Sequence, residues 1–189
     1  MLYHILVPLS DGGDVFNLFR YITFRAGGAF MTALIFGFLF GPSIIKGLRR
    51  LQKKGQPIRA DGPESHIVAK AGTPTMGGVM VLSALLVATL LWGRLDNGFV
   101  WLVTLTTVGF GLIGFADDLM KVTRYSHRGV PGGIRLLAGF AIALGAGFWA
   151  AELQPEALSN RLAFPIFKEL LVDLGLLFLP FAMLVIVGS

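Results

Sequence analysis

NGFVWLVTLTTVGFGLIGFADD, residues 97–118, is the stretch that decides how this chain folds. From Asn97 to Ala116 it contains no Asp, Glu, Lys or Arg, and two adjacent carboxylates, Asp117 and Asp118, follow at once. A hydrocarbon core about 30 Å thick takes roughly 20 mostly apolar helical residues. The run therefore reads as a membrane span that delivers a charged pair to one interface. Uncharged runs of the same kind occupy Ala26 to Ile45 and Ala71 to Gly93. Two shorter ones, Leu136 to Ala151 and Leu174 to Ser189, raise the count to five, with Arg135 able to snorkel to the interface. The expected fold is an all-α, polytopic transmembrane helical bundle. Its spans lie at about 22–45, 71–93, 97–116, 134–152 and 171–189, with loops 46–70 and 117–135, and residues 1–189 form a single integral membrane domain.

Composition agrees with that reading. Of the 189 residues 54% are hydrophobic and only 14% charged, with mean hydropathy +0.73, whereas soluble domains carry nearer a quarter charged residues. The isoelectric point of about 9.9 reflects sidedness and not nucleic-acid binding, which is not expected. Loops 46–70 and 117–135 hold 11 of the 16 basic residues and four of the 11 acidic ones, a balance of +7, while the rest of the chain sums to −2. By the positive-inside rule both loops are cytoplasmic and the amino terminus is external. Trp92 and Trp101, flanking the short connection 93–97, suit the outer aromatic belt. Residues 1–21 include Asp11 and Asp14 and lack a basic start before an apolar stretch, so a cleaved signal peptide is not expected. With no Cys in the chain, disulfides, thiolate catalysis and cysteine-bound metals are excluded together, and any metal must use oxygen or imidazole ligands.

The 25 glycines read as helix-packing residues, as with Gly37 and Gly41 at GxxxG spacing and Gly139, Gly145 and Gly147. Residues 109–114 match GxGxxG, yet they lie inside an apolar helix with no acidic residue between Asp118 and Glu152, so they are not a dinucleotide fingerprint. Asp61, Ser65 and His66 are the residue types of a hydrolase triad, but a triad is a geometry and a short local cluster does not establish one. His4, His127 and Arg25 read as interfacial residues, Arg25 as a snorkelling anchor.

Two segments carry chemistry. Residues 59–78, RADGPESHIVAKAGTPTMGG, are rich in Gly, Pro and Thr and read as an ordered, turn-rich approach to the second span. Lys70 would offer a point charge to a phosphate, and Thr73 and Thr75 would offer hydroxyls. A basic loop lying on anionic lipid would use the same residues, and spacing alone does not choose. Asp117 and Asp118 are the sharper signal, because ionisable groups at a membrane boundary are costly and by default functional. Lys121 follows them by four and three residues, so it can pair with either. Oxygen ligands at a phosphate site suit Mg²⁺, with Asp117 and Asp118 as candidate ligands.

Residues 61–66 (DGPESH), Lys70, residues 72–78 (GTPTMGG) and 114–118 (GFADD) together resemble the phospho-N-acetylmuramoyl-pentapeptide transferase family of the polyprenyl-phosphate sugar-1-phosphate transferases. The resemblance extends over essentially the whole chain, including 19–25 and 165–168. It implies a bacterial, multi-pass inner-membrane enzyme of peptidoglycan and cell-wall biogenesis, serving cell shape and division, with its active face cytoplasmic. The implied reaction is Mg²⁺-dependent transfer of phospho-MurNAc-pentapeptide from UDP-MurNAc-pentapeptide to undecaprenyl phosphate, with UMP released. Asp117, Asp118 and Lys70 are the implied catalytic residues, Asp117 nearest the reacting phosphates. Lys70, Thr73, Thr75 and Lys121 are the implied substrate ligands, and membrane lipid and a second copy in a homodimer are the expected partners. The family continues past the equivalent of Val187-Gly188 with an Asn- and Asp-rich motif, further helices, another magnesium-binding Asp and a His-rich loop. The chain is thus expected to be about the amino-terminal half of the enzyme, with further metal ligands beyond Ser189 and no activity alone. A transferase of GlcNAc-1-phosphate would share Asp117 and Asp118 but not the 61–78 motif. A noncatalytic transport subunit would be expected to carry its ionisable groups nearer the bilayer midplane.

Overall fold

Tyr21, in extended backbone at φ −78° and ψ 126°, is the residue from which the first long helix starts. The computed structural model describes residues 1–10, 15–52, 76–123, 129–155, 161–163 and 171–188. Their helices are α1 (Leu2–Leu6), α2 (Ile22–Leu51), α3 (Gly77–Trp92), α4 (Gly98–Thr123), α5 (Gly132–Leu153) and α6 (Phe178–Gly188), with strands β1 (Arg161–Ala163) and β2 (Leu171–Asp173) before α6. The long helices pack in chain order, α2 on α3, α3 on α4, α4 on α5 and α5 on α6. By length and composition α2, α4 and α5 can each cross a bilayer, while α3 and α6 are shorter apolar helices.

What is buried and what is exposed is inverted relative to a soluble protein. Ala84, Ala88, Ala143 and Thr104 lie inside, whereas Phe38 is 75% and Leu137 73% exposed. In lipid a large apolar side chain gains nothing by turning inwards, so helices meet through small residues that let backbones approach. Gly147 thus faces Leu179 of α6, and Gly139 faces Phe110 and Val187. The sequence reading of the glycines holds in part only: Gly41 abuts Met80, but Gly37 and Gly145 have no neighbour within 4 Å of where a β-carbon would sit. Thr104, Thr106 and Thr107 return their hydroxyls to the carbonyls of residues 100, 102 and 103 at 2.6–2.8 Å, which removes their polarity from the apolar surface.

The α3–α4 connection is tightly tied. Gly93 ends α3 in extended backbone, and Asn97 Oδ1 accepts the Phe99 N–H at 3.0 Å as a cap on the first turn of α4. Trp92 stacks on Phe19 at 5.6 Å and donates to Thr32 Oγ1 at 2.9 Å, and Trp101 donates to the Leu95 carbonyl at 2.8 Å. The amino-terminal helix docks on this same end. The Met1 ammonium donates to the Leu90 carbonyl at 2.8 Å, and Leu95 N–H donates to His4 Nε2 at 3.1 Å. His4 and Arg25 therefore do more than sit at an interface: Arg25 and Arg94 each lie 4.9 Å from the centre of the Tyr3 ring. The guanidinium of Arg94, hydrogen-bonded to Asp96, holds that carboxyl below the usual carboxylate range.

Three boundaries differ from the sequence expectation. Helix α2 runs to Leu51 and α4 to Thr123, so the segments expected as loops from 46 and from 117 begin as helix. The last span, expected from 171, starts later. Leu171–Asp173 pairs antiparallel with Arg161–Ala163, with Arg161 opposite Asp173 and their side chains 3.5 Å apart. Asp173 Oδ1 then accepts the Gly175 N–H at 2.9 Å, Gly175 turns at φ +47°, and helix follows from Phe178. Short apolar stretches read alike as strand or helix, and here cross-strand pairing claims the three residues just before the uncharged run from Leu174.

Candidate active site

The last two turns of α4 carry Asp117, Asp118 and Lys121 as helical side chains. Adjacent helical residues point about 100° apart, and the two carboxylates meet different surroundings. Asp117 is buried, its side chain 11% exposed, while the Asp118 side chain keeps 32% of its accessible surface. Lys121 Nζ lies 2.5 Å from Asp117 Oδ2 and 3.8 Å from Asp118 Oδ1. Where spacing left the partner of Lys121 open, the geometry selects Asp117. The second Asp117 oxygen is also engaged, because Val130 N–H donates to Oδ1 at 2.8 Å across the α4–α5 connection. A charged group in an apolar bundle is tolerable only when its lone pairs are met in this way.

Between α3 and α4 lies a cleft of about 720 Å³. Leu82, Leu86 and Phe115 contribute apolar wall, and Asp117 and Asp118 stand at its polar end with Met76 and Gly78. Met76 enters α3 in the left-handed conformation, φ 71°, which brings the chain into the helix at the end where the carboxylates sit. Lys70, Thr73 and Thr75, like Asp61, Ser65, His66 and His127, lie outside the described residues.

The carboxylates fit a hard cation. Among the described residues no group of three or more His, Asp or Glu forms a ready-made metal cluster. Mg²⁺, however, usually takes one or two carboxylates and keeps several waters. Asp118, the more exposed of the pair and bordering the cleft, is the more accessible donor, whereas Asp117 divides its oxygens between an ammonium and an amide. The Lys121 ammonium, held by Asp117, lies beside this end of the cleft without lining it. The contribution of Val130 was not legible in the sequence, because a backbone N–H carries no residue signature and the contact spans 13 positions.

A family model described as phospho-N-acetylmuramoyl-pentapeptide-transferase signature 1 matches residues 70–82, which cover the end of the first basic loop and the first turn of α3. Curated proteins named phospho-N-acetylmuramoyl-pentapeptide-transferase align with all 189 residues: one from Dinoroseobacter shibae at 64% identity, one from Ruegeria pomeroyi at 62% and one from Ruegeria sp. strain TM1040 at 61%. The chain spans about half the length of these relatives, 52% in each case. Along its whole length, and so along every described helix, the chain is similar to proteins named phospho-N-acetylmuramoyl-pentapeptide-transferase, and its bundle of apolar helices is that of a multi-pass membrane protein.

Proposed function

We propose that this chain, within a full-length protein, contributes the phosphate-handling end of a transferase that moves phospho-MurNAc-pentapeptide from its UDP donor to undecaprenyl phosphate at the cytoplasmic face of a bacterial inner membrane. The observation that carries the reading is the Asp117–Lys121 pair beside Asp118 at the polar end of an apolar cleft. An isoprenoid phosphate has the same division, an apolar chain ending in a charged group. The names of the relatives supply the sugar-peptide.

In this reading an oxygen of the acceptor phosphate attacks the donor phosphorus that bears the sugar. The bond from that phosphorus to the bridging oxygen breaks, and UMP leaves with the oxygen. A phosphate monoester has a second pKa near 6 and is already largely deprotonated at pH 7, so the acceptor needs little help from a general base. The larger task is to hold two anions together against their repulsion, which is a matter of positioning and electrostatics. Asp117 fixes the ammonium of Lys121, Lys70 adds a second cation, and Thr73 and Thr75 are proposed phosphate ligands. Asp117 and Asp118 would hold Mg²⁺ together with ligands supplied elsewhere in the full-length protein. That ion would neutralise phosphate charge.

A test is available in a full-length transferase built by continuing these 189 residues with the rest of the Dinoroseobacter shibae relative. Asp117→Asn, Asp118→Asn and Lys70→Ala are each expected to lower kcat/KM for UMP release about a hundredfold, the scale for losing one preorganised charged group. Near-normal release from both Asn variants, at matched protein and saturating Mg²⁺, would remove the carboxylates from the chemistry.

A further inference from the structure

The connection between α4 and α5 approaches Asp117 so closely that residue 129 has room for a hydrogen only. A β-carbon built on Gly129 would overlap Asp117 Oδ1 and lie 2.7 Å from its Cγ and 2.9 Å from Lys121 Cε. One residue later Val130 N–H makes its 2.8 Å bond to that same oxygen. Gly132 and Gly133, in the same stretch, meet nothing within 4 Å. Gly129 is not among the positive-φ glycines, of which Gly175 alone is found in the described residues, so the requirement is space and not backbone conformation.

We propose that Gly129 is a positioning residue for the transfer reaction: by letting the turn close on Asp117, it allows Val130 N–H and Lys121 to fix the carboxylate from two sides. The inference rests on the reading of Asp117 as part of the phosphate-handling centre. A methyl group at 129 forces a choice. Either the Asp117 carboxyl swings away and releases Lys121, or the turn withdraws and takes the Val130 N–H with it. Both outcomes leave a charged group in the cleft misplaced by an ångström or more, a displacement that costs about a hundredfold in rate when the group is preorganised.

The test uses the full-length transferase described above. Gly129→Ala should lower kcat for UMP release about a hundredfold while KM for the UDP-linked donor moves less than about threefold. Combined with Asp117→Asn it should lower kcat by no more than about threefold beyond Asp117→Asn alone, since two changes acting through one carboxylate do not multiply. Gly132→Ala should behave as wild type. Folding is followed separately through the melting temperature. Any loss caused by Gly129→Ala should disappear in an Asp117→Ala background, where the methyl no longer meets a carboxylate. A near-normal kcat for Gly129→Ala, a full multiplication of the two losses, or a melting penalty unchanged by Asp117→Ala would each overturn the proposal. An Asp117→Asn enzyme with normal turnover would bring down the reading of the site itself, an outcome distinct from the other three.

Discussion

At the scale of single residues, Lys121 bears the most. Its side chain is 28% exposed and that of Asp117 11%, so the pair stands between a surface ion pair, worth about 0–1 kcal/mol, and a buried one. Lys121→Gln leaves Asp117 with the Val130 N–H but no cation. The full-length enzyme is then expected to lose about 1–3 kcal/mol of stability, the cost of a buried acceptor left short, and to lose UMP release as well. Lys121→Arg should restore part of both, because a planar guanidinium keeps the charge but not the compact ammonium geometry. An unchanged melting temperature for Lys121→Gln would reduce the pair to an ordinary surface contact. The Asp pair was legible in the sequence because carboxylates at the end of an uncharged run are costly. Which of them Lys121 joins, and that Val130 and Gly129 close over Asp117, was not. The closure by Val130 and Gly129 depends on where residues 12 and 13 positions away return, and nothing in local spacing encodes that return.

At the scale of elements, each of the first four apolar runs coincides with one helix, α2, α3, α4 or α5, because roughly 20 uncharged residues admit few other structures, while α2 and α4 continue six and seven residues past the expected spans. The runs failed where hydropathy is silent on conformation. Leu171 and Val172, separated by Asp173 from the uncharged run that begins at Leu174, fall within the last expected span, yet they pair with β1. The short helix α1 was likewise missed, since its docking rests on the Met1 ammonium and His4 meeting the backbone of residues 90 and 95. The antiparallel pair α3 and α4 puts the turn 93–97 at one end and Asp117 at the other, and the orientation proposed from the charge distribution has the Asp117 end facing the cytoplasm. The chain has no Cys, so single cysteines report sidedness directly. Asp96→Cys should react with a membrane-impermeant thiol reagent in intact cells, while Arg50→Cys and Ser126→Cys should react only after the membrane is opened. The reverse pattern would put the phosphate-handling end in the wrong compartment.

At the scale of the whole molecule, a set of helices joined through alanine and glycine, with large apolar side chains turned outwards, holds one charged cluster at the end of an apolar cleft. That division suits the proposed joining of a water-soluble sugar donor to a lipid phosphate, and in that reading the 61–78 motif favours the muramoyl donor over other UDP-sugars. The most direct measurement offers the full-length transferase undecaprenyl phosphate and Mg²⁺ with either UDP-MurNAc-pentapeptide or UDP-GlcNAc, and follows UMP together with lipid-extractable sugar. The expected result is one UMP for each lipid-linked MurNAc-pentapeptide and no transfer from UDP-GlcNAc. Transfer from UDP-GlcNAc alone, or lipid-extractable product from neither donor by a folded enzyme, would contradict it.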